Sequence, residues 1–553
     1  MSEDTIQGSQ HGGTVLIEAL ATQGVRRVFC VPGESYLAAL DALYDAEIET
    51  IVARQEGGAT MMAEAHGKLT GKPGIAFVTR GPGATNAASG VHVAFQDSTP
   101  MILFIGQVAT DQRDREAFQE VDYRAMYAPL AKWVAEIDRV DRIDEYVSRA
   151  FHVVQAGRPG PVVLALPEDI LSATLDERPH LPPVATLPKA EPSDGEVDEI
   201  ARRIAEAKRP FVIVGGGGWT DEAASALGVF AEKAKVPVGT SFRCQDYLDN
   251  RHPNYVGDVG IAPNPALANT IGEADLIVAL GPRLGEMTTS GYTLLTPPKT
   301  YQTLVHVHAD ANELGRVYHP DVAVACRPAA MALALAEAAL PAAHNRSGYV
   351  QSCRSAYEAW QEPQPTIGDL RLETVISHLN DALPDDAILT NGAGNYAAWL
   401  HRYYRYRSWR TQLAPTSGSM GYGLPAAIAA KLEAPDRDVI CLAGDGCLQM
   451  VIQEFGTAVQ YGANVVVLVA NNGVYGTIRM HQHRTYPGRP SATDLKNPDF
   501  AALAQAYGGY GATVTRNEDF DDALQSARQA NLPAILDLKI DPRAVSPRMV
   551  LDA

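Results

Sequence analysis

An α/β protein of three domains, each a parallel sheet flanked by helices, is the fold class that this sequence predicts. Length is the first observation: 553 residues, 46% apolar and 20% charged, exceed one ordinary core and fit about three globular domains. The second is alternation of short apolar runs with helical patterns, as in "RRVFCV" before "SYLAALDALYDA" and "GIAFVT" before "TNAASGVHVAF". The third is that several apolar runs end in glycine or polar residues, as strand ends in open α/β sheets do where ligands gather.

Taken in order, the first domain spans residues 1–172 and includes the further strand "MILFIG". It closes on "LSATLDERPHLPPVATLPKAEPS", residues 171–193, whose prolines predict an extended connection without regular structure. The second, residues 194–345, opens with "PFVIVGGGGWTDEAASALGVFAEKA" and continues through "ADLIVALGPR" and "TLVHVHAD". The stretch "RSAYEAWQEPQPTIGD" separates it from the third, residues 368–553, whose strands are "DAILTNGAG", "VICLAGDG" and "NVVVLVANN".

Charge and cysteine content exclude several classes. The 46 basic and 65 acidic residues give a net charge of -19, which opposes binding to nucleic acid or an anionic bilayer. The six cysteines are scattered without a CxxC pair, which predicts reduced, buried thiols. The start "MSEDTIQGSQHGG" has neither a basic segment nor an apolar run, and no apolar stretch is long enough to span a membrane, so a cytoplasmic location is expected.

The chemistry concentrates in "VICLAGDGCLQMVIQEF", where an apolar strand runs into Gly-Asp-Gly and then a helix. Between Gly446 and Asn471 lie 24 residues, enough for one helix and one returning strand in the same sheet. Asp445 and Asn472 then approach each other, and their oxygens, with a loop carbonyl, are hard ligands suited to Mg²⁺. Gly444 and Gly446 would let a diphosphate approach the backbone at a helix N-terminus. Gly-Asp-Gly by itself is a common turn; the spacing to the Asn pair favours the metal site.

"GDG" followed by "NN" resembles the thiamine diphosphate-binding signature, and "VPGES", "RQEGGA", "TRGPGATN", "AFQEVD", "GRPGPV" and "GSMGYGLPAA" resemble the acetolactate synthase and pyruvate decarboxylase superfamily. The match runs through essentially the whole chain. It implies a pyrimidine-binding domain, a central Rossmann-like domain and a diphosphate-binding domain. It also implies that Asp445, Asn472 and the Val474 carbonyl hold Mg²⁺, and that Glu56 binds N1′ of the cofactor's aminopyrimidine, which favours the tautomer whose nitrogen deprotonates the thiazolium. Met420 would prop the bent cofactor, with the Gly418 carbonyl accepting from its amino group. Further cofactor contacts implied are Pro32, Gly33, Gly394 and Asn395. Gly444, Gly446, Cys447, Tyr475 and Gly476 complete the implied set. The partners implied are a small 2-oxo acid and a second copy of the chain, in a homodimer or dimer of dimers with the site at the subunit interface.

The activity implied is decarboxylation of a small 2-oxo acid with transfer of the acyl-anion equivalent to a carbonyl acceptor. Phe118 and Gln119 in "AFQE" favour ligation, with Gln119 catalytic. Four departures favour a nonligating decarboxylase, or a lyase of 2-hydroxy ketones or 2-hydroxyacyl thioesters. His481 replaces a tryptophan, Met287 an arginine, Glu168 a lysine and Glu34 a small residue. Glu34 falls where the resemblance implies an acidic residue for proton transfer in pyruvate decarboxylases, and it could protonate an enamine or alkoxide, especially if Val31 and Leu37 raised its pKa, or could simply favour a helix N-terminus. His481 is an acid–base candidate or a solvated loop residue. A catalytically silent homologue is the reading from another class, and intact Glu56, Asp445 and Asn472 argue against it. "GGGGWT", Arg283 and "HVHAD" loosely resemble FAD-binding segments while "GDVGIAPNPALAN" departs from them, so FAD binding and plain α/β architecture both stay open.

Overall fold

Runs of Val, Ile, Leu and Phe make the central strands, whose burial on both faces is what parallel sheets covered by helices require, while several edge strands keep exposed residues. The computed structural model describes residues 10–176, 183–187, 189–340 and 344–552. The chain forms two compact units: one comprises residues 1–188, 424–433 and 451–463, the other 189–423, 434–450 and 464–553.

The first unit holds six parallel strands: β1 (Arg27–Cys30), β2 (Glu49–Val52), β3 (Gly74–Val78), β4 (Met101–Gln107), β5 (Trp133–Glu136) and β6 (Pro161–Pro167). Their spatial order is β2-β1-β3-β4-β6-β5. Every residue of β3, β4 and β6 is buried. Helix α1 (Glu56–Thr70) follows β2, capped by the Gln55 side chain, and α2 (Pro82–Asp97) follows β3, with Pro82 in the first turn where its missing N–H costs nothing.

The second unit contains two sheets. One has β7 (Pro210–Val214), β8 (Val238–Ser241), β9 (Tyr255–Val259), β10 (Leu276–Leu280), β11 (Thr303–Val307) and β12 (Val322–Val324) in the order β9-β8-β7-β10-β11-β12, the doubly wound arrangement expected for a Rossmann-like domain. The other has β13 (Ile388–Asn391), β14 (Gln412–Leu413), β15 (Val439–Gly444), β16 (Val466–Asn471), β17 (Tyr510–Val514) and β18 (Ala534–Lys539) in the order β14-β13-β15-β16-β18-β17. Its strand order repeats that of the first unit's sheet.

Two expectations change. Helices α3 (Gly423–Glu433, from Leu424 on) and α5 (Glu454–Gln460) come from the stretch assigned to the third domain yet pack within the first unit. Polar contacts show why: Glu433 accepts from Arg27 at 2.8 Å, Glu454 accepts from the Arg54 N–H at 3.1 Å, and the Tyr461 hydroxyl accepts from the Val52 N–H at 2.8 Å. The connection expected over 171–193 also begins later, because Thr174–Leu175 pairs antiparallel with Gln10–His11 before the first proline of that stretch, Pro179. Residues 177–182 and 188 of that connection, and the N-terminal residues 1–9, lie outside the described residues. Among the described residues no helix is long and apolar enough to cross a membrane.

Candidate active site in two halves

In the order β2-β1-β3-β4 the chain reverses direction across the sheet between β1 and β3, the switch point at whose carboxyl end a ligand crevice is expected in open α/β sheets. The first loop carries Pro32, Gly33 and Glu34, and the second carries Thr79, Arg80 and Gly81. The loops are closely packed: a Cβ on Gly33 would lie 2.3 Å from Thr79 Cβ, and the Ser35 and Thr79 hydroxyls are 2.8 Å apart. Gly33 is therefore required by its neighbour, while Pro32 is exposed.

Glu56 opens α1 on the same carboxyl side of the sheet. Its Oε2 accepts from Asn86 Nδ2 at 3.0 Å, and a Cβ on Gly83 would stand 3.2 Å from its Oε1. Glycine at 83 thus leaves space against a carboxylate whose position Asn86 fixes. Gln119 sits in a left-handed turn with φ 66°, beside Gly81, whose Cβ would lie 2.7 Å from the Gln119 Cβ.

Glu34 departs from the expected picture. Its side chain is 66% exposed and Oε1 accepts from Arg80 at 3.1 Å, while Leu37 is 62% exposed. Within one chain, therefore, Leu37 does not enclose Glu34, and the carboxylate is paired with Arg80. Glu168 accepts from the same guanidinium at 3.0 Å, which the sequence comparison of single positions did not bring together.

In the C-terminal sheet the same reversal falls between β13 and β15. Gly394 and Asn395 follow β13; Asp445 and Gly446 follow β15 at the head of the short helix α4 (Asp445–Gln449). Asp445 is only 3% exposed. Its Oδ1 accepts from the Gly446 N–H at 2.8 Å, and its Oδ2 accepts from the Gly473 N–H at 2.8 Å and from Asn497 Nδ2 at 2.7 Å. Burial pushes this carboxyl above its ordinary value, against the lowering effect of those hydrogen bonds. Asn472 Oδ1 accepts from the Val474 N–H at 3.1 Å, which holds the loop that also presents Val474.

This donor set fits a small hard cation. Among the described residues no three His, Cys, Asp or Glu side chains converge on a metal position; the magnesium site expected from the sequence offers instead one carboxylate with an amide and a carbonyl oxygen. The Asp445 carboxylate also accepts from the Asn472 N–H, and carboxylate and amide oxygens, with several lone pairs each, retain acceptor capacity beside such bonds.

The glycines of this half have a different physical reason from the one expected. A Cβ on Gly444 would meet the Tyr396 ring at 2.8 Å, and one on Gly446 would meet the Tyr475 ring at 2.6 Å. Both side-chain directions are filled by protein, so these glycines first admit two aromatic rings. Gly394, at φ 148°, also packs on Tyr396. Cys447 Sγ accepts from the Tyr396 hydroxyl at 3.3 Å and from the Gly421 N–H at 3.2 Å, tying together the loops after β13 and β15.

Asn395 binds Thr477, its N–H donating to Thr477 Oγ1 at 3.0 Å. Tyr475 precedes and Gly476 begins helix α6 (Gly476–Thr485), which carries His481 in an exposed position. Gly418 adopts φ 68°, a left-handed value that glycine tolerates, and Met420 packs against the C-terminal core. Asn497 was not foreseen: it lies in "LKNPDF", reads as an ordinary turn, and has no motif spacing to Gly-Asp-Gly. Its Nδ2 also donates to Asn471 at 2.8 Å, and Asn471 donates to Asp537 at 2.8 Å, giving a buried polar chain behind Asp445.

The central sheet reverses between β7 and β10, where a dinucleotide would be expected. There a Cβ on Gly216 would lie 2.1 Å from the Gly281 carbonyl oxygen. The buried Trp219 donates to the Gly215 carbonyl at 2.9 Å, and the Tyr247 hydroxyl donates to that of Gly216. Trp219 and Tyr247 meet edge to face at 5.4 Å. Backbone and side-chain packing account for Gly215 and Gly216, while Gly218, at φ 81°, faces open space, so the glycine run is compatible both with plain α/β architecture and with a dinucleotide at this place.

Comparison with known proteins agrees with the two halves. Residues 10–126 match the N-terminal TPP binding domain of thiamine pyrophosphate enzymes, 197–335 their central domain and 392–538 their C-terminal TPP binding domain. The chain is 30% identical over 539 residues to the acetolactate synthase isozyme 2 large subunit of Escherichia coli K12, covering 96% of each chain. It is 32% identical to an acetolactate synthase of Mycobacterium bovis, covering 95% of this chain and 87% of the relative. It is 31% identical to a probable acetolactate synthase large subunit of Methanocaldococcus jannaschii, covering 97% and 93%. With both crevices furnished as described and the similarity running the length of the chain, this protein belongs to the thiamine pyrophosphate enzyme family and is a thiamine diphosphate-dependent enzyme.

Proposed function

We propose that this enzyme is a carboligase of the acetolactate synthase type, which decarboxylates a small 2-oxo acid and transfers the acyl-anion equivalent to a carbonyl acceptor. The observation that carries the reading is Glu56, held by Asn86 at 3.0 Å with Oε1 facing the space that Gly83 leaves. Thiamine diphosphate, when bound, supplies a nucleophilic carbon and an electron sink for loss of CO₂. Glu56 holds a proton at N1′ of the aminopyrimidine. Asp445, Asn472 and the Val474 carbonyl would hold Mg²⁺, which would offset the charge of the diphosphate, with Asn497 orienting Asp445. The family resemblance supports at least a homodimer, Glu56 of one subunit serving cofactor held by Asp445 of another. The nonligating alternative rests on the four departures at Glu34, Glu168, Met287 and His481, two of which, Glu34 and Glu168, pair with Arg80.

A screen of 2-oxo acids for CO₂ release, with product analysis, tests this reading. Ligated products such as acetolactate or acetoin from pyruvate are expected, and free aldehyde alone would refute ligation. Glu56→Gln should lower turnover by roughly 10²–10⁴-fold, the range for a positioned acid–base group. Parent-like turnover in that variant would remove the role of Glu56.

A further inference from the structure

Arg80 lies on the loop after β3, and its three hydrogen bonds run in three directions. Nη2 donates to Glu34 at 3.1 Å, Nη1 to Glu168 at 3.0 Å, and Nε to the Phe118 carbonyl at 3.1 Å. The guanidinium is 9% exposed, whereas Glu34 and Glu168 are 66% and 37% exposed. These contacts join the loops after β1, β3 and β6 to the turn that carries Gln119. Arg80 also follows Thr79, whose Cγ2 would lie 2.8 Å from a Cβ on Gly83, the glycine that faces Glu56. One positive and two negative side chains leave the cluster with a net charge of about -1 at neutral pH.

We propose that Arg80 is a positioning and specificity residue: Glu34 and Glu168 withdraw its guanidinium from substrate carboxylates, and through Phe118 it holds the Gln119 turn in place. The inference rests on the carboligase reading for its relevance to substrate choice. A lone arginine here would attract the carboxylate of a 2-oxo acid; a clamped one with surplus negative charge weakens carboxylate binding at this position.

The test uses holoenzyme with thiamine diphosphate and Mg²⁺, titrated with acetate, which carries a carboxylate but no reactive carbonyl. Acetate should bind roughly tenfold tighter to the Glu34→Gln/Glu168→Gln variant than to the parent, and raising the salt should shrink the gain. Adding Arg80→Gln should abolish the gain. An unchanged acetate affinity in the double variant, or a gain that survives loss of Arg80, would overturn the proposal. If the double variant does not fold, Glu34→Gln alone removes only an exposed carboxylate and is judged by the same two criteria, with a smaller gain expected. Acetate binding needs no turnover, so failure of every 2-oxo acid to release CO₂ would refute the carboligase reading without deciding this one.

Discussion

Replacing Asn497 by alanine removes the side-chain donor to Asp445 Oδ2, a contact of 2.7 Å, and the donor to Asn471 at 2.8 Å. A hydrogen bond to a charged, buried acceptor contributes about 1.5–3 kcal/mol. Since 1.4 kcal/mol is a factor of ten, a loss of that size weakens Mg²⁺ binding by roughly 10–100-fold if Asp445 is the ligand that Asn497 orients, the range typical of outer-shell partners of metal ligands. The assay is calorimetric titration of Mg²⁺ into protein with saturating thiamine diphosphate, alongside circular dichroism to establish that the variant is folded. Affinity within twofold of the parent, in a folded variant, would refute the idea that Asn497 supports a metal clamp at Asp445.

Two more predictions follow from local geometry. Gly446→Ala puts a Cβ 2.6 Å from the Tyr475 ring, so a shift of that ring should cost about 1–3 kcal/mol and loosen the loop carrying Val474; a melting temperature and Mg²⁺ affinity equal to the parent's would contradict it. His306 in β11 is 2% exposed, and burial pushes its imidazole down from 6.5 to about 4. Below the ordinary value the unfolded chain takes up a proton that the folded one refuses. Stability is therefore lost as pH falls from 6.5 to about 4, by about 3 kcal/mol from this group alone. His306→Gln should flatten that acid limb in thermal melts, and an unchanged limb would refute the assignment.

Much of the molecule was legible because parallel strands announce themselves. "MILFIG", "VICLAG" and "NVVVLVA" are too short and too uniformly apolar for anything but strands buried on both faces, and the helices between them follow from length. Asp445 and Asn472 were legible because strand order and crossover length place them together. What stayed hidden depends on side-chain direction and long-range packing. Nothing in "LKNPDF" ties Asn497 to Asp445, 52 residues away. Glu34, Arg80 and Glu168 were each visible as single residues, yet only the adjacency of the loops after β1, β3 and β6 makes them one cluster. The reason for Gly444 and Gly446 was read from chemistry alone, and the rings of Tyr396 and Tyr475 show that packing governs them first. Likewise α3 and α5 were counted with their sequence neighbours, while the polar contacts of Glu433 and Glu454 place them in the other unit.

The repeated strand order explains why both terminal sheets offer a crevice and why they offer different chemistry. Each has its reversal between a first and third strand, so each third strand delivers a glycine-containing turn to the same topological place: "TRGPG" after β3 and "GDGC" at the end of β15. In the first, a guanidinium already has two carboxylate partners. In the second, Asp445 is buried and its hydrogen-bond donors, the N–H groups of Gly446 and Gly473 and the amide of Asn497, are neutral. Neutral donors lower the cost of burying a carboxylate without cancelling its charge, and the raised value of its carboxyl expresses the remainder. A divalent cation would supply what those donors lack. A buried carboxylate among neutral donors, more than the glycines beside it, is the physical argument for the proposal that magnesium is held at Asp445.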